Sequence, residues 1–262
     1  MTPKNITPKN MIQNKWTVKV MDIKGLLFDK DGTLLEFHQM WLKVSQGVVT
    51  ALSHRYCTEM QKHLLTEDHL LEAIGIHGEY VDNHGLLAAN PVEDTAEAWF
   101  KMLTPSCELA VFTAQVKALF NQQVEDNPSL IQPLPGVKDT LIKLKQKGFR
   151  LGIATADTKD STIYSLEKAG LIDLFDYLGY SDGDIAPKPA PALLQGFCER
   201  CDLTPAQVVM FGDTVSDMAF GLNAGAGKVG VLTGTATQDE LAPHADCILA
   251  SVADFEPECL AR

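Results

Sequence analysis

The sequence predicts an α/β fold, a Rossmann-like doubly wound parallel sheet core with an inserted, mainly helical domain, and three observations carry that expectation. A short apolar run, Lys24-Gly-Leu-Leu-Phe28, stops at two aspartates and a glycine, the form of a buried strand that ends in a turn. From Val137 onward, strand-length apolar runs alternate with helical periodicity, as in a parallel sheet covered on both faces. Between these two regions lie roughly ninety residues of mostly helical pattern, too long for a loop inside one α/β domain and suited to an inserted second domain.

Residues 1–21 read as a polar leader with an edge strand at Trp16 to Val20, and residues 22–36 with 134–262 as the α/β core. Residues 37–133 read as the insert, whose entry near Leu35 lies just beyond the aspartates. Within it, Trp41, Val44, Val48, Val49, Leu52 and Tyr56 recur at helical spacing, and further helices are expected at about Glu67 to Ile74, Val92 to Leu103 and Leu109 to Val124. The turn formers of Gly75 to Gly85 interrupt them as a loop or small excursion. In the core, helices are expected at Val137 to Lys147, Thr162 to Ala169, Ala192 to Arg200 and from Ser216. Glycines at 148 and 170 close the first two. Strands are expected at Phe149 to Thr155, Asp176 to Gly179, Val208 to Phe211, Lys228 to Leu232 and Cys247 to Leu249.

With 34 acidic against 22 basic residues the formal charge is -12. The lysines are scattered, so nucleic acid and anionic membrane surfaces are poor partners. A small phosphorylated ligand stays open, because a metal and one or two lysines reverse the sign locally. The six cysteines show no disulfide framework; Cys198 and Cys201 have the spacing of a redox or zinc half-site but no second pair, and they fall in a helical pattern. Thiols in a reducing compartment are the expectation. Met1 to Asn14 is polar, neither signal peptide nor anchor, and no later stretch has the ~18 apolar residues of a spanning helix. A cytoplasmic protein is expected.

Four groups of polar residues fall at predicted strand ends. Asp29 and Asp31 follow the first strand, and two carboxylates one residue apart suit a divalent cation together with a nucleophile and its acid/base partner; an ordinary Asp-Gly turn is the plain alternative. Thr155 can hold phosphate oxygens or simply cap the next helix. Lys188, between two prolines, can balance a phosphate and two carboxylates, or be a solvated charge. Asp213 and Asp217 stand at the amino end of a helix as a pair able to bind Mg2+, or there is only capping by Asp213 or Ser216. Each plain alternative is tolerable singly; all four together in this order are not.

On these residues the sequence resembles the haloacid dehalogenase superfamily of aspartyl phosphohydrolases, and within it phosphoglycolate-phosphatase-like members with a helical cap inserted after the first motif. The first motif stands as Phe28-Asp-Lys-Asp-Gly-Thr-Leu34, the second as Ala154-Thr155, the third as Lys188-Pro-Ala-Pro191 and the fourth as Phe211-Gly-Asp-Thr-Val-Ser-Asp217. The resemblance implies that Asp29 is the nucleophile and Asp31 the general acid, then base. It implies Mg2+ held by Asp29, the main-chain carbonyl of Asp31 and Asp213, with Asp217 orienting the metal or its waters. Thr155 would hold a phosphoryl oxygen, and Lys188 would screen charge between Asp29 and the phosphate. An aspartate at position 31 argues against dehalogenation.

Lys30 occupies a position most often apolar in such relatives and reads as a tolerated variant pointing out of the strand end. Asp157, Lys159 and Asp160 read as a solvated helix start or as an edge of the substrate site, Asp182 and Asp184 as acidic neighbours of Lys188, with Asp184 a candidate to steady the lysine or a metal-bound water, and His38, His54, Arg55, His77 and Glu79 as specificity candidates in the cap or as surface and packing residues. The expected function is Mg2+-dependent hydrolysis of a small phosphorylated metabolite, phosphoglycolate among the candidates. A sugar-phosphate mutase of the same fold and a non-catalytic binding member are the alternatives, and monomer or dimer is left open.

Overall fold

A computed structural model describes residues 11–14, 23–58, 64–82, 84–181 and 185–257. The chain forms two compact units, one from the described residues up to Glu36 and from Gln132 onward, the other Phe37–Ile131.

In chain order, β1 is Met11–Asn14 and β2 is Gly25–Phe28. The second unit follows, with helices His38–Tyr56, Glu67–Glu72, Leu86–Ala89, Val92–Leu103 and Leu109–Asp126. It also holds a small antiparallel ladder of β3, Ile76–His77, and β4, Tyr80–Val81. That ladder stands where the turn formers suggested a loop or small excursion; a two-residue strand is too short to leave a period in the sequence. Trp99 and Phe120 stack in the middle of this unit with centroids 5.9 Å apart, and the Trp99 indole donates to the Leu70 carbonyl at 2.8 Å.

The first unit continues with helix Val137–Gln146, β5 at Arg150–Ala154, helix Lys159–Lys168, β6 at Tyr177–Gly179 and helix Ala192–Cys201. It ends with β7 at Val208–Gly212, helix Val215–Ala224, β8 at Gly227–Val231, helix Gln238–Leu241 and β9 at Cys247–Leu249. The sheet order is β1-β9-β8-β7-β2-β5-β6, and every neighbouring pair is parallel except β1 with β9. β1 is an addition to the expected fold, formed in the polar leader; the edge strand expected at Trp16 to Val20 lies outside the described residues.

β2 has no solvent-exposed residue because β7 and β5 flank it and helices cover both faces. Leu27 packs with Met210, Leu193, Leu194, Phe197 and Phe220 on one side. On the other, Phe28 stacks on Phe211 at 4.9 Å, and Phe211 meets Phe255 edge-on at 4.8 Å. Each such aromatic pair contributes about 0.5–1.5 kcal/mol beyond its buried area. After β2 the chain builds outward to β5 and β6, then crosses to β7 and builds the other way. The order therefore reverses beside β2, and in doubly wound sheets ligands bind at the carboxyl ends of strands at such a point. Among the described residues no helix is long and apolar enough to cross a membrane.

Candidate active site

The carboxyl ends of β2, β5 and β7 and the loop after β6 carry all six residues singled out from the sequence. Asp29 follows β2 directly, its amide donating to the Phe211 carbonyl at 2.9 Å. Asp213 follows β7, and Asp217 lies in the first turn of helix Val215–Ala224. These three buried carboxylates each offer an oxygen within 4.8 Å of the others. The Lys188 ammonium reaches in from the loop after β6, 2.5 Å from Asp29 Oδ1 and 2.6 Å from Asp217 Oδ1.

One ammonium among three buried carboxylates leaves an excess of negative charge, and the carboxylates register it. Burial pushes Asp29 up to about 8 against the pull of Lys188, with Asp217 and Asp213 adding to the rise. Burial, with Asp217 next, lifts Asp213 to about 6 while hydrogen bonds from Thr235 and Thr33 oppose it. For Lys188, burial favours the neutral amine, but Asp217 and Asp29 outweigh it and hold its pKa above the ordinary value. Hard oxygen donors with unbalanced charge, too few to complete an octahedron, fit Mg2+, which keeps waters and takes phosphate oxygens in its remaining positions.

Asp213 is held from both sides. Thr33 Oγ1 donates to its Oδ1 at 2.9 Å, and the Thr235 amide and hydroxyl donate to Oδ2 at 2.9 and 3.3 Å. Thr233 Oγ1 donates to the Gly32 carbonyl at 2.6 Å, tying the loop after β8 to the turn after β2. Gly32 has φ +79°, where an L side chain is strained, and a Cβ there would stand 2.7 Å from Asp213 Oδ2. At Gly234 a Cβ would fall 1.9 Å from the same oxygen. Asp217 is fixed by a capping box: Thr214 is the N-cap, its amide and hydroxyl donating to Asp217 Oδ2 at 3.1 and 2.6 Å. The cap of this helix is therefore neither Asp213 nor Ser216, which leaves Asp213 free of that duty.

Thr155 is buried at the end of β5, its amide donating to the Gly179 carbonyl at 3.0 Å. It does not cap the next helix, since Thr158 does so by accepting from the Ser161 amide. Its hydroxyl oxygen accepts from the Asp157 amide at 3.2 Å.

Lys30 departs from the outward-pointing variant expected. It is 1% exposed, with its ammonium 2.7 Å from Asp31 Oδ2 and 3.1 Å from Asp157 Oδ2. Burial works against the charge, but Asp31 and Asp157 overcome it and raise the lysine above its ordinary pKa. Burial likewise raises Asp31, against Lys30. Asp31 thus stands apart from the other three carboxylates, on a cation that it shares with Asp157. Asp157 is an ion-paired residue rather than part of a solvated helix start. Asp182 and Asp184 lie outside the described residues.

Residues 23–225 match the model of the haloacid dehalogenase-like hydrolases. The chain belongs to this family. It is 30% identical over 220 residues to the probable phosphatase IndB of Dickeya dadantii, covering 82% of this chain and 84% of that one. It is 28% identical to a phosphoglycolate phosphatase of Vibrio vulnificus over 92% and 94% of the two chains. Among solved structures, a predicted phosphoglycolate phosphatase from Haemophilus somnus 129pt superposes with a TM-score of 0.68 at 22% identity, covering 89% of this chain and 96% of that one. That structural likeness carries the fold, and the family with its named relatives supports a phosphatase as the enzyme class.

Proposed function

We propose that the protein is a Mg2+-dependent phosphomonoester hydrolase acting on a small phosphorylated metabolite through an aspartyl-phosphate formed on Asp29. The observation that carries this reading is the convergence of the buried Asp29, Asp213 and Asp217 carboxylates on one small volume, with a single ammonium, Lys188, between two of them. Asp29, Asp213 and Asp217, with the main-chain carbonyl of Asp31, would hold Mg2+. When bound, the metal supplies positive charge to the transferring phosphoryl oxygens.

The residues of the chain divide the remaining work. A carboxylate oxygen of Asp29 attacks phosphorus as the bond to the leaving oxygen breaks, and Asp31 gives that oxygen its proton. Asp31 then takes a proton from water, which attacks the phosphorus and releases inorganic phosphate and free Asp29. Lys188 and the Thr155 hydroxyl hold phosphoryl oxygens, so that a charge-rich group can approach a carboxylate. Choice of substrate is assigned to the inserted unit, which leaves the core immediately after the turn bearing Asp31. Phosphoglycolate, named for the Vibrio relative, is the first member of a panel of cytoplasmic phosphorylated metabolites to test.

Asp29→Asn is expected to lower Mg2+-dependent turnover of 4-nitrophenyl phosphate by roughly 10³-fold or more, with circular dichroism and thermal midpoint preserved. Undiminished turnover by the folded variant rejects Asp29 as the nucleophile.

A further inference from the structure

We infer that Lys30, braced by Asp157, is a positioning residue that fixes the carboxylate of Asp31 for proton transfer to the leaving oxygen. The inference rests on the reading of Asp31 as general acid and base, and it concerns a pair of residues that this reading does not use.

The geometry is that of a chain of fixed groups. Asp157 is itself immobilised: its Oδ1 accepts from the Thr158 amide at 2.8 Å and its Oδ2 from Ser161 Oγ at 2.7 Å. Its amide donates to Thr155 Oγ1, so the same residue steadies the threonine assigned to the phosphate. The Lys30 ammonium bridges from Asp157 to Asp31 Oδ2. The Lys30 carbonyl accepts from the amides of Leu34 and Leu35 at 2.9 and 3.0 Å, which fixes its main chain. The result at Asp31 is asymmetric. Oδ2 is anchored, whereas Oδ1 is buried without a hydrogen-bond partner among the described residues.

A buried polar atom without a partner is costly unless something in the working state satisfies it. Here that atom belongs to the residue read as the proton donor. Lys188 does not take over the anchoring, because its ammonium is committed to Asp29 and Asp217. Without Lys30, Asp31 and Asp157 would face a buried gap with no cation between them, and nothing would hold Asp31 Oδ2 in place. An arrangement that anchors one oxygen and leaves the other bare sets the direction in which the proton travels, which a surface lysine at this position could not do.

A leaving-group series separates this role from a merely structural one. Leaving oxygens that depart as stable anions need little protonation, whereas alkoxides need it fully. With the full chain and Mg2+, kcat/KM is measured for 4-nitrophenyl phosphate, phenyl phosphate and an alkyl phosphate. Lys30→Met is expected to lose about ten- to a hundredfold on the alkyl phosphate and less than about threefold on 4-nitrophenyl phosphate. Lys30→Arg should restore most of the alkyl activity, and Asp157→Asn should show the same selectivity to a smaller extent. In an Asp31→Asn background, Lys30→Met should cost nothing further, because its effect passes through Asp31.

A loss equal on all three substrates, no loss at all, or a loss that persists in the Asp31→Asn background overturns the proposal. If Asp31→Asn itself leaves alkyl phosphate turnover intact, the proposal falls together with the reading of Asp31. If that variant shows a leaving-group-selective loss while Lys30→Met does not, the positioning role alone falls. Should Lys30→Met fail to fold, Asp157→Asn, which keeps the Lys30 to Asp31 pair, decides: a selective loss supports the proposal and a uniform loss or none overturns it.

Discussion

Asp213 illustrates what a carboxylate needs in order to stay both buried and ionised. Thr33 and Thr235 satisfy its two oxygens from opposite sides, and two glycines keep the space around Oδ2 clear. Thr33→Val keeps the shape but removes the donor to Oδ1. It is expected to destabilise the protein by about 1–3 kcal/mol and, because supporting groups orient metal ligands, to weaken Mg2+ binding by roughly 10–100-fold. Thermal melts with and without Mg2+, and a Mg2+ titration of activity, measure both. Unaltered Mg2+ dependence would show that Thr33 serves the fold alone. The acidic residues themselves were legible in the sequence, because an apolar run that stops at Asp29 or at Gly212-Asp213 marks a strand end. Their supports were not. Thr235 comes from the loop after the next strand, β8, and Lys30 follows an apolar strand, where a long cationic side chain reads as facing solvent. Its burial depends on Asp157, whose proximity only the pairing of β2 with β5 creates. Thr214 was missed for a simpler reason: three neighbouring residues could each have capped the helix, and only the backbone path selects among them.

At the scale of elements, the sheet is knitted at its far edge by Asp176, just before β6. Its carboxylate accepts from the Leu151 amide at 2.9 Å, from the Lys145 ammonium at 2.5 Å and from Arg150 at 3.1 Å, which joins helix Val137–Gln146 to β5 and β6. Burial works to raise its pKa, but the hydrogen bonds from Lys145 and the Leu151 amide prevail and hold the carboxyl below its usual value. The folded pKa therefore lies below the unfolded one. The stabilisation is present above the ordinary carboxylate range and is lost as pH falls through the folded value. Asp176→Asn is expected to cost about 1–2 kcal/mol at neutral pH, with the melting curves of variant and parent converging in acid; a pH-independent difference would refute the ionic share. Most strands and helices of the core were readable from apolar runs and helical spacing, several helices being closed by glycine, whereas the four-residue helix Gln238–Leu241 was too short to show. β1 was not, since four residues of a polar leader carry no period and gain their conformation from β9.

For the whole molecule, the decisive feature is how the inserted unit joins the core. The Glu36 amide donates to the Gln132 carbonyl at 3.0 Å and the Leu134 amide to the Leu34 carbonyl at 2.9 Å, with Leu35 bridged to Pro133 between them. The outgoing and returning chains thus run side by side within the core. Replacing Phe37–Ile131 with a short glycine-serine linker is expected to leave a core that unfolds cooperatively and turns over 4-nitrophenyl phosphate. Its preference among phosphorylated metabolites should flatten by roughly tenfold or more. Loss of the folded core would show that the insert is part of its stability rather than a source of selectivity. In the sequence the insert shows as a helical pattern that interrupts an otherwise regular alternation, but no spacing distinguishes a histidine that meets substrate from one that meets water.

Where a chain departs and comes back at a single clasp, the segment in between can grow, shrink or be exchanged without shifting the register of any strand. The paired stretch from Leu34 to Glu36 against Gln132 to Leu134 is in that sense a socket. It would let a lineage, or an engineer, replace the segment between while the strands of the core and the carboxylates at their ends are inherited intact.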